Sequence, residues 1–189
     1  MRLKSRTPAA WIEAVMADFD SFLLDHAACE RKASATAMAL VAHYPDREEL
    51  VRECIALARE ELEHFGRVWE ELTERGLVLG ADTRNPYMAR LAREYRKGSD
   101  DYFLDRLLVT GIIEARGCER FGLVAAALPE GPLKQLYRDF ARSEVRHHEL
   151  FLDLARRYFQ PKAVAARLEE LLVVERRVVE ELPVRAAMY

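Results

Sequence analysis

Residues 57–65 read LAREELEHF. On a helix, Glu61 and His64 stand three residues apart and share one face. Leu57 precedes them on that stripe, and Val68 and Leu72 continue it, so the face is expected to look inward. A carboxylate and an imidazole among apolar side chains each cost several kcal/mol without a partner, on the order of the transfer penalty for a buried polar group. A metal ion is one such partner. The same spacing returns far down the chain as Glu144 and His147. A chain with two such pairs is constrained to bring both inward faces into a core that can satisfy them.

The surrounding sequence is helical almost throughout. Ala, Leu, Glu and Arg are abundant, with only 8 Gly and 7 Pro in 189 residues, which favours helix over strand. That length suffices for one domain with a sizeable core. Pro8 follows the capping residue Thr7, and a helix is predicted from about Pro8 to Tyr44, ended by Pro45 and Asp46. Its stripe is Trp11, Val15, Phe19, Phe22, His26, Cys29, Ala33, Ala37 and Leu40, with Glu30 at its border. A second helix is predicted from about Arg47 to Arg75, stopped by Gly76. A connection of about 24 residues follows, interrupted by Asn85-Pro86 and by a short helix over Met88–Lys97. A third helix runs from Ser99 or Asp100 to near Leu128, a fourth from about Leu133 to Tyr158, and a fifth lies between Pro161 and Pro183.

Four long helices with a long middle connection predict an all-α, ferritin-like four-helix bundle with a long crossover and accessory helices. The expectation is one domain over residues 1–189, with the core bundle at about 8–158 and an accessory helix at about 162–182. The short breaks at Pro45 and at Pro129–Pro132 join antiparallel pairs. Two phrases repeat: Ala28-Cys29-Glu30-Arg31 resembles Gly117-Cys118-Glu119-Arg120, and Glu61-Leu62-Glu63-His64 resembles Glu144-Val145-Arg146-His147. Two related helical hairpins are therefore expected.

In an antiparallel hairpin, residues equally far from the turn come level, because both arms rise equally. Glu30 lies fifteen residues before Pro45 and Glu61 sixteen after it. Glu114 lies fifteen before Pro129 and Glu144 fifteen after it. Glu119 stands about 7 Å further along the axis. The hairpin count thus selects Glu114, while the Cys-Glu-Arg repeat points to Glu119, for which a nearby arginine is the expected partner. A dinuclear carboxylate site needs one Glu from each of two helices and Glu-x-x-His from the other two. Glu30, Glu61, His64, Glu114, Glu144 and His147 supply that set. Mixed oxygen and nitrogen donors suit iron or manganese. His26, one turn before Glu30, and Glu119 are candidates for supporting the ligands. The three cysteines form no close pair and read as free thiols rather than a disulfide framework or a thiolate zinc site.

The segments LLDHAACERKA, LAREELEHF, IIEARGCERF and RSEVRHHELFLDLAR together resemble the bacterial tRNA-(2-methylthio-N6-isopentenyladenosine)-hydroxylase family, from Thr7 into the fifth helix. The resemblance implies a ferritin-like non-haem di-iron monooxygenase that hydroxylates the isopentenyl group of a modified adenosine beside the tRNA anticodon. It implies two Fe ions, dioxygen as co-substrate and an external electron donor, an unidentified reductase or electron carrier. The implied iron ligands are the six residues named above. The implied macromolecular partner is the tRNA anticodon stem-loop.

Net charge is −3, so bulk charge does not mark a polyanion-binding protein. Local basic runs do exist. Arg84, Arg90, Arg93, Arg96 and Lys97 face one acidic residue between positions 84 and 97, and Arg138, Arg142 and Arg146 recur at every fourth residue. Either run could meet RNA phosphates, or balance the many glutamates. No apolar run reaches eighteen residues, which predicts no membrane span and a cytoplasmic protein. Two other functions share these features: a ferritin-like oxidase, peroxidase or iron-handling protein with a non-tRNA substrate, and a non-enzymatic helical adaptor.

Overall fold

A computed structural model describes residues Met1–Tyr189. The chain is all-α: α1 (Ala9–Ala17), α2 (Phe19–His43), α3 (Glu48–Glu74), α4 (Pro86–Leu91), α5 (Ser99–Ala127), α6 (Pro132–Tyr158) and α7 (Pro161–Glu181), with one 3-10 turn at Ala92–Glu94. The chain divides into two compact units. One comprises Met1–Ile12, Arg84–Val184 and Tyr189, and the other Glu13–Thr83 and Arg185–Met188. Their centres are the long hairpins α5–α6 and α2–α3, respectively. These hairpins, joined by a long connection and accompanied by short accessory helices, are the parts of a ferritin-like four-helix bundle. No helix is long and apolar enough to cross a membrane.

Local sequence explains the boundaries. The helix expected over residues 8–44 is two helices. Asp18 leaves the helical region at φ −140° and ψ 67°, and its carboxylate accepts from the Ser21 N–H as the N-cap of α2. The apolar spacing runs on across this break, which hides it from a periodicity reading. Glu48 and Glu49 place negative charge at the positive end of α3. Its other end closes on Gly76 at φ +70°, where Gly76 N–H bonds Thr73 O at 3.0 Å and Leu77 N–H bonds Leu72 O at 2.9 Å. That is a Schellman closure, which requires the left-handed backbone that glycine adopts without strain. The helix expected over Met88–Lys97 starts earlier and is shorter. Asn85 caps it through the Tyr87 and Met88 N–H groups, Pro86 occupies its first turn, and it tightens into the 3-10 turn after Leu91.

In the larger unit, α5 is apolar around most of its circumference and packs chiefly against α6, with α7 also alongside. Phe121, Tyr137 and Phe140 form an aromatic cluster with centroids 5.5–5.9 Å apart. Gly111 permits close approach of α5 to α6: a Cβ built there would come within 3.2 Å of Phe151 Cβ. In the other unit, Phe22, Leu23, Leu40, Leu50, Cys54, Leu57, Val68 and Leu72 are buried along α2 and α3. The cysteines are free thiols, Cys29 and Cys54 buried and Cys118 half-buried.

One polar network crosses the larger unit. Arg116 and Glu175 are both fully buried. Arg116 Nε and Nη2 donate to the two Glu175 oxygens at 2.8 and 3.0 Å, and Tyr87 OH donates to Glu175 Oε1 at 3.0 Å. Arg116 also donates to Thr7 Oγ1 at 3.2 Å, to Ser5 O at 3.1 Å and to the Glu119 carboxylate. The N-terminal arm, α4, α5 and α7 are therefore tied together through the Arg116–Glu175 pair. Removing one member of a buried pair strands the other charge, at about 3–5 kcal/mol. Arg116→Ala is expected to lower unfolding stability by that amount in urea titration, whereas Arg116→Met combined with Glu175→Leu recovers most of the loss.

Candidate metal centre

Each hairpin carries one half of the donor set. In α2–α3, Glu30 and His26 lie on α2, and Glu61 and His64 on α3, all four buried. Two facing amphipathic stripes place them level. His26 Nε2 is 2.7 Å from Glu30 Oε1. His64 Nδ1 is 3.6 Å from Glu30 Oε2 and 3.7 Å from Glu61 Oε2. Those two approaches are too long for hydrogen bonds and short enough for strong Coulombic attraction. The donor atoms of Glu30, Glu61 and His64 lie within 4.8 Å of one another.

In α5–α6, Glu114 on α5 and Glu144 and His147 on α6 are buried. His147 Nδ1 is 3.3 Å from Glu144 Oε2, and that buried oxygen accepts no hydrogen bond. The neighbouring His148 turns elsewhere, with Nδ1 3.0 Å from Glu144 O and Nε2 3.2 Å from the Met1 amine. Burial, and then the Glu144 carboxylate, push the Cys118 thiol up, so it stays protonated. Glu119 is engaged outside this donor group: besides Arg116, it accepts from Thr7 Oγ1 at 2.6 Å and from Thr7 N–H at 3.2 Å.

The charge state of the first half follows from its neighbours. Burial works to raise the Glu30 carboxyl, but His26, and then His64 and Glu61, hold it well below the usual carboxylate range. Burial works to lower His64, and the carboxylates of Glu30 and Glu61 outweigh it, raising the imidazole to about 10. Without a metal, a proton on His64 thus provides the positive charge that its carboxylate neighbours require. The donors are hard oxygens and borderline nitrogens, and Glu144 Oε2 is buried with no hydrogen-bond donor of its own. Both facts fit a divalent first-row cation such as iron or manganese.

The basic residues singled out from the sequence have varied surroundings. Arg90 pairs with Glu181 at 2.7 Å, Arg96 with Asp101 at 2.8 Å and Asp105 at 2.9 Å, Arg138 with Glu130 at 3.5 Å, and Arg142 with Asp139 at 3.4 Å. Arg84, Arg93, Lys97 and Arg146 are exposed. The remaining histidine, His43, is exposed and bonds Ala39 O at the end of α2.

A metal ligand must be deprotonated. Since His64 titrates near 10, metal uptake at pH 7.5 is expected to release its proton, and apparent affinity should rise with pH up to that value. Calorimetric titration of metal into metal-free protein, in buffers of different ionisation enthalpy, measures the protons released. Zero release at this pH would rule out His64 as a ligand. The metal-free fold has the opposite dependence. The raised His64 value contributes stability in full below the unfolded value of about 6.5, and this is lost as pH rises toward 10.

Comparison with known proteins gives a consistent result. The family model described as tRNA-(MS2IO6A)-hydroxylase, MiaE, matches residues 1–188. A tRNA 2-(methylsulfanyl)-N(6)-isopentenyladenosine(37) hydroxylase of Pseudomonas putida is 36% identical over 92% of this chain and 84% of its own length. The protein of the same name from Salmonella typhimurium is 27% identical over 89% of this chain and 80% of its length. Among solved structures, a Synechococcus protein described as having aldehyde deformylating oxygenase activity superposes with a TM-score of 0.94. It is 37% identical, and the match covers 100% of this chain and 96% of that one. With the family model spanning nearly every residue, and the Glu-x-x-His pairs of α3 and α6 buried beside carboxylates, this chain belongs to the MiaE tRNA-hydroxylase family.

Proposed function

We propose that the protein is a di-iron monooxygenase that hydroxylates the isopentenyl group of 2-methylthio-N6-isopentenyladenosine in tRNA. The observation that carries this reading is the buried Glu-x-x-His on both α3 and α6 in a chain matched end to end by the hydroxylase family. Glu30, Glu61, His64, Glu114, Glu144 and His147 would hold two irons, which supply oxygen activation when electrons arrive from an external carrier.

The chain's own residues have definite tasks in this scheme. The carboxylates of Glu30, Glu61, Glu114 and Glu144 balance four positive charges of two ferrous ions. His64, once its proton leaves, and His147 would each offer a neutral nitrogen. His26, fully buried and 2.7 Å from Glu30, fixes the orientation of that carboxylate. Glu119, held by Arg116 and Thr7, keeps α5 attached to the N-terminal arm. The substrate side chain must project out of an RNA loop to reach a centre buried between helices. The protein is read as cytoplasmic, where tRNA and a reductase are both accessible.

A second reading draws on the Synechococcus structure. Its described activity on aldehydes pairs a near-identical fold with a substrate that carries no RNA. One experiment separates the two. The iron-loaded protein, with chemical reductant and dioxygen, is given prenylated tRNA or a long-chain aldehyde, and products are read by mass spectrometry. A gain of one oxygen on the prenyl adenosine is expected. No such product from fully loaded, reducible protein, with turnover of the aldehyde, would replace the first reading by the second.

Ligand assignment has its own readout. Glu61→Ala and His147→Ala are each expected to lower bound iron and to cut hydroxylation by at least about a hundredfold, the upper range for losing a residue that merely supports a metal ligand. Glu114→Ala should lower bound iron as well. Glu119→Ala should leave iron content unchanged and lower thermal stability, since it loses contacts to Arg116 and Thr7. Iron content by elemental analysis, with helicity by circular dichroism, distinguishes these outcomes.

A further inference from the structure

An open pocket of about 450 Å3 lies at the start of α5, lined by Tyr95, Arg96, Lys97, Gly98, Ser99 and Tyr102. The Tyr95 and Tyr102 rings meet edge to face, with centroids 5.4 Å apart and planes at 85°. Tyr102 is 36% exposed, so part of its ring faces solvent. Arg106, one turn further along α5, is only 8% exposed and lays its guanidinium over the Tyr102 ring, 6.0 Å from the centroid. No carboxylate pairs with it.

The charges around this pocket are sorted by the fold. Arg96 is occupied by Asp101 and Asp105, and Asp105 is shared with Arg167 at 2.8 Å. Asp100 stays exposed on the first turn of α5. Lys97 is the exposed cation of the lining left for a ligand, while the nearly buried Arg106 lies over the Tyr102 ring. Two tyrosines in edge-to-face contact, beside a lysine without a carboxylate partner, form the combination that takes a base on a ring face and a phosphate at its edge.

We propose that this pocket binds one unpaired nucleotide of the RNA substrate, with its base against the Tyr95–Tyr102 pair and its phosphate held by Lys97. The assignment rests on the tRNA reading above and adds a second anchoring point to it. Tyr102 lies twelve residues before Glu114 on α5, about 18 Å along the helix axis. The anchored nucleotide is therefore distinct from the one being hydroxylated, yet within the span of a single stem-loop. Such an anchor fixes the register of the RNA, while the reacting side chain enters the metal centre elsewhere.

The test uses the full chain, metal-loaded, with a prenylated anticodon stem-loop and fluorescence anisotropy at several salt concentrations. Tyr102→Ala is expected to weaken binding by about tenfold or more, the range for loss of one base–aromatic stack. Tyr102→Phe should restore it, since the ring and not the hydroxyl carries the contact. Lys97→Glu should reduce the slope of log K against log salt by about one phosphate contact. Helicity and iron content of each variant exclude a folding defect. Wild-type affinity in correctly folded Tyr102→Ala would overturn the proposal. So would AMP binding that Tyr102→Ala abolishes with RNA affinity intact, which would give the pocket to a free mononucleotide. RNA binding that depends on Tyr102, without hydroxylation by the wild type, would uphold the pocket and defeat the hydroxylase reading. Hydroxylation with Tyr102-independent binding would do the reverse.

Discussion

Carboxylates buried in helical hairpins dominate the physics of this protein. Glu30, Glu61, Glu114 and Glu144 are all withdrawn from water, and each hairpin places an imidazole among them. A buried charge without compensation is too costly to keep, so the fold must supply cations. In the metal-free chain, a protonated His64 does so for Glu30 and Glu61, and His26 hydrogen-bonds Glu30. The His64 imidazole is poised to give up its proton to a metal. Folding and metal uptake therefore depend on one electrostatic requirement, met first by protons and then by metal.

A second buried charge system meets that requirement with protein groups alone. Arg116 faces Glu175 in a bidentate pair, with Tyr87, Thr7 and Ser5 completing its hydrogen bonds. The contrast between the two systems is informative. Where a guanidinium and a carboxylate are fully matched, the result is a structural tie. Where a buried Glu144 oxygen lacks a hydrogen-bond donor, the surroundings suit an added cation.

Much of this was legible in the sequence, for reasons that can be stated. Periodicity marks the faces of α3, α5 and α6, and prolines mark their ends, so the hairpins could be counted. Counting from a turn brings Glu30 level with Glu61, because two antiparallel helices rise at the same rate. The break at Asp18 escaped, since the apolar stripe continues across it and only a side-chain cap and one non-helical residue record it. The Arg116–Glu175 pair escaped because its members lie far apart in sequence and nothing local marks either as buried. Charge counts likewise do not reveal partners. Arg90 and Arg96 read as part of one basic run, and the fold matches both with acids while leaving Lys97 exposed.

Gly111 bears on how Glu114, Glu144 and His147 are spaced across α5–α6. It stands one turn before Glu114, and its neighbour Phe151 stands one turn after His147. The absent side chain sets the spacing of the two helices at this level through backbone and aromatic contact. The spacing of Glu114 from Glu144 and His147 is then a property of the scaffold. For a metal held by these residues as proposed, the donors would already be ordered, and little binding energy would go to arranging the chain.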